Sequence, residues 1–125
     1  MREKPGLSHA TWAAAVAVAA GRRPPLAAEQ TINRIAAGTG PVPQLAGGLA
    51  HWRAPVTAAQ LLVELARDAV TTFSAPTADR VRKCADPGCA LHYLDTSRPG
   101  RRRWCSMQRC GNRNKVHQYR DRRQE

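Results

Sequence analysis

Apolar residues recur at helical spacing along the first part of the chain and predict helices there. Ser8 is a suitable cap for a first helix, which ends at Gly21. The pair Pro24-Pro25 opens a second helix, which ends at Gly38 because glycine accepts the backbone conformation that closes a helix. The predicted apolar positions are Trp12, Val16 and Ala19 in the first helix and Ala28, Ile32, Ile35 and Ala36 in the second.

A strand-turn-strand pattern separates the second helix from a third. Residues 42–53 carry a central Gly-Gly pair, which is typical of a β-hairpin with a two-residue turn. Thr57-x-x-Gln60 is a capping box and starts the longest helix, Ala58 to Phe73. The predicted apolar positions of this helix are Leu61, Leu62, Leu65, Ala69 and Phe73. Residues 1–79 are therefore predicted to form a mainly α domain with one small hairpin.

Charge divides the chain at residue 80. The 125 residues contain 20 Lys and Arg against 9 Asp and Glu, a net charge of +11. Residues 1–79 account for +2 of this charge and residues 80–125 for +9. The basic part also holds only four aliphatic side chains, too few to offset a backbone ordering entropy of about 1–2 kcal/mol per residue. Residues 80–125 are therefore expected to be either disordered or cross-linked by disulfides or a metal.

The cysteine spacing favours a metal. All four cysteines lie in the basic part, as Cys84-x4-Cys89 and Cys105-x4-Cys110, with fifteen residues between the pairs. Two close pairs on tight turns, joined by such a loop, are typical of a four-thiolate zinc site. Structural disulfides and a redox-switched site are the alternatives, and a reducing cytoplasm disfavours the former. We expect one structural Zn²⁺ and, because four thiolates leave no open position, no catalysis.

Local patterns predict the shape of this module. Pro87-Gly88, between the first two cysteines, predicts a type II turn with Gly88 at positive φ. Residues 91–94 are strand-like, and Asp95 is expected to accept hydrogen bonds from the amides of the following turn. Gly111 to Arg123 can form a helix. We expect a small zinc finger with a short β-hairpin and one helix.

Four segments of the module together resemble the CGNR zinc finger. They are Arg82-Lys83-Cys84-Ala-Asp-Pro-Gly-Cys89, Tyr93-Leu-Asp95-Thr-Ser97, Arg102-Arg103-Trp104-Cys105-Ser-Met107 and Cys110-Gly111-Asn112-Arg113-Asn-Lys115-Val116. The resemblance implies that residues 1–79 are a helical ABATE domain and residues 80–125 the finger of a bacterial, stress-induced, DNA-binding transcription regulator. Members of that family usually begin with a segment like Leu-Asp-Phe-Val-Asn-Thr. This chain has none, so we expect an ABATE domain that lacks its start.

The distribution of basic residues predicts contact with nucleic acid. The candidate contact residues are Arg101, Arg102, Arg103, Arg113, Lys115, Arg120, Arg122 and Arg123. Arg113 and Lys115 lie in the first turn of the predicted helix, where recognition helices meet bases. Bracing of the zinc loops is the alternative role for Arg103 and Arg113. We also expect Asn112 to donate a hydrogen bond to a cysteine sulfur and Trp104 to pack over the zinc site.

The sequence therefore predicts a zinc-dependent, double-stranded-DNA-binding transcription regulator without enzymatic activity. An RNA-binding or ribosome-associated zinc module and a redox- or metal-responsive interaction protein are the alternatives. The chain contains no apolar run of about 18 residues and no recognisable secretory signal, so we expect no membrane contact and a cytoplasmic, nucleoid-associated location. The sequence leaves open a homodimer and a small-molecule effector for the N-terminal region.

Overall fold

The structure, a computed structural model, describes residues 6–124 of the chain. This part contains four α-helices and two antiparallel hairpins. The helices are α1 (Leu7–Ala19), α2 (Leu26–Ala36), α3 (Ala58–Thr72) and α4 (Asn112–Gln124), and the strands are β1 (Pro43–Ala46), β2 (Leu49–Trp52), β3 (Val81–Lys83) and β4 (His92–Leu94). A 3₁₀ turn occupies Thr77–Arg80 and a π-helical turn occupies Met107–Gly111. The predicted fold class, a mainly α protein with a helical N-terminal part and a small C-terminal finger, is confirmed.

Helix α1 packs through a different face from the predicted one. Its buried residues are Leu7, Ala10, Ala14 and Ala17, whereas Trp12 is 59% exposed. The helix begins one residue before Ser8, with Gly6 in the capping position. The predicted face was wrong because α1 is almost entirely Ala and Val after Trp12, so no polar side marks the surface. The core takes alanines, which allow neighbouring helices to approach closely.

The core of the helical part is built largely from small side chains. Its buried cluster consists of Leu7, Ala10, Ala14, Ala28, Ile32, Ala66 and Ala69. The prediction for α2 is confirmed, since Ala28 and Ile32 are buried and Ile35 and Ala36 pack against the cluster. Helix α2 lies between α1 and α3, and it contacts both.

The end of α2 lies very close to α3. A Cβ atom at Gly38 would lie only 2.9 Å from Cγ2 of Val63, so glycine is required there. From α3, Nε of Arg67 donates a hydrogen bond to the Ala36 carbonyl (3.1 Å) and Nη2 to the Gly38 carbonyl (2.9 Å). These bonds satisfy carbonyl groups that the end of a helix leaves without partners.

The start of α3 is the predicted one, but its predicted buried face is confirmed only at Ala69 and at Phe73, which packs against the core. The Gln60 amide donates to the Thr57 hydroxyl (3.2 Å), and the Thr57 amide donates to the Gln60 side chain (2.9 Å), so the capping box is confirmed. The buried residues are Val63, Ala66 and Ala69. Three predicted core leucines are instead 45–58% exposed, namely Leu61, Leu62 and Leu65. Because α2 and α3 approach closely, α3 buries the face that carries its smaller side chains.

Loss of the capping box should destabilise the helical part measurably. We expect Thr57→Ala to lower the free energy of unfolding by about 1 kcal/mol, because it leaves an amide at the start of α3 without an acceptor. Urea unfolding followed by circular dichroism measures this change. Ser8→Ala is the matched control and should change stability by less than about 0.5 kcal/mol, since the exposed Ser8 side chain caps no helix. Equal effects of the two substitutions would contradict the assignment of Thr57 as the cap.

The first hairpin has the predicted glycine turn. Strands β1 and β2 pair from Pro43 opposite Trp52 to Ala46 opposite Leu49. Gly47 and Gly48 both have positive φ (56° and 76°), as a two-residue turn of the type I′ family requires. All eight strand residues are exposed, so the hairpin stands outside the core.

The second hairpin places the finger against α1. Strand β3 pairs with β4 from Val81 opposite Leu94 to Lys83 opposite His92, and both strands contact α1. Val81 is buried at this contact. No helix within residues 6–124 combines the length and the apolar character needed to cross a membrane.

Candidate metal centre

The four cysteines converge on one point. All four sulfur atoms lie within 4.8 Å of one another, and none of them is in a disulfide. The Sγ atoms of Cys89 and Cys105 are 3.7 Å apart, as are those of Cys105 and Cys110. A tetrahedral zinc ion with Zn–S bonds of about 2.3 Å requires S···S distances of about 3.8 Å. The donor set therefore fits one structural Zn²⁺, as the spacing predicted.

The first cysteine pair is held by a turn that an aspartate organises. The amide of Cys84 donates to the Leu91 carbonyl (2.9 Å) at the end of the β3–β4 hairpin. The Asp86 carboxylate accepts from the Gly88 amide (2.9 Å), and the Asp86 carbonyl accepts from the Cys89 amide (3.0 Å). Gly88 is not among the residues with positive φ, so the predicted type II turn was wrong. The Asp86 side chain supplies the turn geometry instead.

In the second pair, Cys105 lies just before the π-helical turn and Cys110 lies within it. The carbonyl of Ser106 accepts from the amides of both Cys110 and Gly111, at 3.1 Å each. The amide of Cys105 donates to Sγ of Cys84 at 3.4 Å, which links the two pairs directly. Helix α4 then begins at Asn112, so the last ligand and the helix share one continuous stretch of backbone.

Gly111 is buried where the second pair packs most tightly. A Cβ atom there would lie 2.3 Å from Sδ of Met107 and 3.1 Å from Cδ1 of Trp104. Trp104 thus lies beside the residue that follows the last ligand, close to its predicted position over the site. Met107 is 50% exposed and flexible enough to move, so the rigid Trp104 ring is the contact that favours glycine after Cys110.

Any side chain at Gly111 should therefore weaken the finger. We expect Gly111→Ala to lower the free energy of unfolding by about 1–3 kcal/mol, the usual cost of overpacking. Competition with a chromophoric chelator measures the accompanying loss of zinc affinity. The exposed Gly47 is unsuitable as a control because of its positive φ. Gly88→Ala in the same finger, where a Cβ atom would meet nothing nearer than 3.5 Å, is the matched control. Wild-type zinc affinity in Gly111→Ala would show that Met107 moves aside freely.

Asp95 organises the loop between the two cysteine pairs. It is fully buried, and its Oδ1 accepts from the Ser97 amide (3.0 Å) and from the Ser97 hydroxyl. Its Oδ2 accepts from the Arg102 amide (3.1 Å) and lies 3.7 Å from Nε of Arg82. The predicted role of Asp95 as a turn acceptor is confirmed. The hydrogen bonds from Ser97 hold the pKa of this carboxyl below its usual value despite burial.

Two arginines that bind backbone carbonyls complete this loop. Arg80 donates to the carbonyls of Asp95 (3.1 Å) and Ser97 (2.8 Å). Arg102 donates to the carbonyls of Trp104 (2.8 Å) and Cys105, and its guanidinium lies 4.7 Å from the centre of the Tyr93 ring. Arg102, predicted as a nucleic-acid contact, therefore braces the segment that carries Cys105. Sequence reasoning did not find Arg80 in this role, because nothing in the sequence distinguishes it from the other arginines.

A salt bridge connects the first cysteine pair to α4. Nη1 of Arg113 lies 3.4 Å from Oδ2 of Asp86, whose side chain is almost fully buried. The Gly88 amide is the main cause of the lowered pKa of Asp86, and Arg113 contributes to it. Arg113 thus has the bracing contact that was the alternative to base recognition.

The asparagine that contacts the ligand segment is not the expected one. Asn112 is exposed, and within residues 6–124 the structure shows no hydrogen bond from it to a cysteine sulfur. Asn114 instead donates to the Cys110 carbonyl at 2.8 Å. Two residues along a helix point in different directions, and the sequence did not show which asparagine faced the site.

The thiols differ in acidity. Burial disfavours ionisation of Cys84, but hydrogen bonds from the amides of Cys105 and Asp86 outweigh it and lower its pKa to about 7. Burial raises the pKa of Cys105 and of Cys110, and the neighbouring cysteine Cys84 adds to the effect in both. Since the metal binds thiolates, the amide hydrogen bond to the Cys84 sulfur favours the form that the metal takes.

The other predicted nucleic-acid contacts lie on the surface. Arg101 and Arg103 are exposed in the loop before Cys105, and the Arg103 guanidinium lies 5.1 Å from the centre of the Trp104 ring. On α4 the exposed basic residues include Lys115, Arg120, Arg122 and Arg123. The loop arginines line an open cleft of about 340 Å³ together with Lys83.

A helical domain joined to a closed four-cysteine centre defines the protein as a zinc-finger protein in which the metal is structural. The CGNR zinc finger model matches residues 80–123, and the ABATE model, whose description is "Putative stress-induced transcription regulator", matches residues 7–76. The chain belongs to this ABATE family and carries a C-terminal CGNR zinc finger. The match from residue 7 does not support the expected loss of the domain's start. Comparison with curated proteins gives no match.

Proposed function

We propose that the protein is a transcription regulator whose zinc finger binds double-stranded DNA through α4 and the loop before Cys105. The observation that carries this proposal is the concentration of exposed positive charge on one module. Residues 80–124 contain thirteen basic residues and three acidic ones, and two of those acids, Asp86 and Asp95, are buried in contacts with arginines. The surface of the finger is therefore almost purely cationic, which favours a polyanionic partner.

The arrangement of charge on α4 supports an orientation. At 100° per residue, the basic residues Arg113, Lys115, Arg120, Arg122 and Arg123 fall on one half of the helix. The opposite half carries Asn114, which binds the Cys110 carbonyl, and Asp121, the only acid of the helix. Helix α4 packs against the π-helical turn and makes no other extensive contact in the described part of the chain. A projecting helix with one cationic side is suited to the major groove of DNA, whose width admits a helix.

The structure divides the basic residues into two groups. Arg80, Arg82, Arg102 and Arg113 bind carbonyls or buried carboxylates of the finger itself. Arg101, Lys115, Arg120 and Arg122 are exposed and form no salt bridge within residues 6–124, and Nε of Arg122 donates only to the Gln118 carbonyl one turn back in its own helix (3.3 Å). We assign DNA contact to this second group. Lys115 and Arg122 lie on the same face of α4, two helical turns apart. The proposal includes no catalytic step.

The double variant Lys115→Ala/Arg122→Ala tests this assignment. We expect it to weaken binding of the zinc-loaded chain to duplex DNA at least tenfold and to reduce the slope of log K against log salt by about 1–2, since each phosphate contact contributes about 0.9. Fluorescence anisotropy at several salt concentrations measures both quantities. Arg22→Ala/Arg23→Ala is the matched control, because it removes the same charge from exposed residues of the helical part.

Two outcomes would contradict the proposal. Equal losses in the two double variants would show a non-specific effect of net charge. Tighter binding to structured RNA than to duplex DNA in direct competition would favour the RNA-binding alternative instead, since RNA and DNA both present phosphates to the same surface.

A further inference from the structure

An open cleft of about 440 Å³ lies between α1 and the base of the finger. Its α1 wall includes Trp12, Val16 and Ala19, the residues whose spacing predicted a packing face. Its finger wall includes Lys83 and His92, which are paired residues of β3 and β4. The helical core does not cover this apolar face of α1, and the finger covers only part of it. The size of the cleft lies within the usual range for small-molecule sites, which often form where two domains meet.

The α1 side of the cleft selects a flat apolar group. Trp12 is 59% exposed, although it is the largest side chain of α1, and the neighbouring wall consists of Val and Ala. An aromatic ring placed against an exposed indole gains apolar contact and favourable ring stacking. Small aliphatic neighbours leave space beside the indole for such a ring.

The finger side selects a negative charge. Lys83 lines both this cleft and the neighbouring one, which Arg101 and Arg103 also line. No acidic residue of the described chain lines either cleft. His92 also lines the cleft, and its Nδ1 is buried and has no hydrogen-bond partner within residues 6–124. A buried polar atom of this kind gains a hydrogen bond when a ligand group reaches it.

We propose that this cleft binds a small planar aromatic carboxylate. The ring lies against Trp12 and Val16, the carboxylate pairs with the Lys83 ammonium, and the His92 imidazole supplies a further hydrogen bond. The site goes beyond the DNA-binding function and does not depend on it. Because Lys83 directly precedes the ligand Cys84, a bound molecule would contact both α1 and the strand that leads into the metal centre. Binding should therefore strengthen the contact between the helical part and the finger.

The probe for this site is 2-naphthoate, added to the full zinc-loaded chain without DNA. We expect saturable binding in the millimolar range or tighter, with chemical-shift changes at the indole N–H of Trp12 and at His92. The neutral analogue 2-naphthylmethanol should bind more weakly, and the cation 2-naphthylmethylamine more weakly still. This order follows from the cationic finger wall.

Two substitutions separate the ring contact from the charge contact. Trp12→Ala should weaken 2-naphthoate binding about tenfold, because it removes the stacking surface, and Trp52→Ala on the exposed first hairpin is its control. Lys83→Met should weaken 2-naphthoate binding about threefold, the usual magnitude for an exposed ion pair, and should leave binding of the neutral analogue unchanged. Lys115→Met is its control. Zinc content is measured in every variant to confirm that the finger is intact.

Three results would overturn the proposal. The first is no saturable binding of 2-naphthoate in the millimolar range. The second is equal affinity for the three analogues, which would show simple hydrophobic adsorption. The third is a set of shift changes centred on the other apolar cleft, between Leu7 of α1 and Leu65 of α3, instead of on Trp12 and His92.

Discussion

Cys84→Ser should leave the finger unfolded while the helical part keeps its structure. Residues 80–124 have few aliphatic side chains, and the core cluster lies entirely in α1, α2 and α3. The finger therefore depends on its metal, and binding of structural zinc contributes about 10–16 kcal/mol in zinc-finger peptides. Cys84 is the most informative ligand to remove, because its sulfur also accepts the Cys105 amide that joins the two cysteine pairs.

Two measurements check this result. Metal analysis should give about one zinc per wild-type chain and close to none in Cys84→Ser, since three remaining thiolates do not close a structural site. Amide resonances of β3, β4 and the π-helical turn should collapse towards random-coil positions, while those of α2 and α3 stay dispersed. Removal of zinc from the wild-type chain with a chelator should reproduce the same pattern. A chelated wild-type finger that keeps its dispersed resonances would contradict a metal-dependent fold.

Asp95→Asn should cause the largest loss of zinc affinity of any substitution outside the ligands. The neutral side chain loses the charge that faces Arg82 and offers an N–H₂ group where the Arg102 amide or the Ser97 amide needs an acceptor. Arg102 binds the carbonyl of Cys105, so loss of the loop disturbs a ligand directly. We expect a decrease in zinc affinity of about 10–100-fold, as for other groups that orient ligands. Asp121→Asn, on the exposed side of α4, is the control.

The pH dependence of this difference has a defined sign. The pKa of Asp95 is lowered in the folded protein, so the carboxylate stabilises the fold above the pKa of the unfolded chain, about 3.9, and loses this effect as the pH falls through the lowered value. While zinc remains bound, the stability difference between wild type and Asp95→Asn should therefore stay constant as the pH falls from about 8, because Asp95 itself begins to lose its effect only below about pH 4. Chemical unfolding at a series of pH values measures it. A difference that already declines at pH 6 while the zinc content is unchanged would indicate that Asp95 is not the group responsible.

Patterns that depend on a few adjacent residues predicted the structure well. The Thr57–Gln60 capping box, the Gly-Gly hairpin and the start of α2 after Pro25 all follow from local backbone chemistry, and the structure confirms them. The metal centre was predictable for the same reason. Two cysteine pairs at this spacing have few other uses in a module with so small an apolar content.

Choices between similar residues could not be predicted in this way. The sequence of α1 has no polar face, so it did not show that alanines would be buried and Trp12 exposed. The leucines of α3 were predicted to form the core from their helical spacing, but the short distance to α2 favours Val63 and Ala66 beside the predicted Ala69. In the finger, thirteen basic residues look alike in sequence. Only the three-dimensional structure separates Arg102, which binds its own backbone, from Arg101, which is exposed.

Helix α4 begins two residues after the ligand Cys110, so the metal centre sets the orientation of the helix. Three features fix the angle of α4 relative to the metal centre. They are the shared backbone at Gly111, the Arg113–Asp86 salt bridge and the Asn114–Cys110 hydrogen bond. Thirteen residues extend α4 by about 20 Å at 1.5 Å per residue. A tilt of α4 by about 10° at Cys110 would thus displace the C-terminal end of the helix by about 3.4 Å, the spacing of successive bases in a DNA strand. For the DNA contact proposed above, the rigidity of the metal centre would then decide which base the end of α4 reaches.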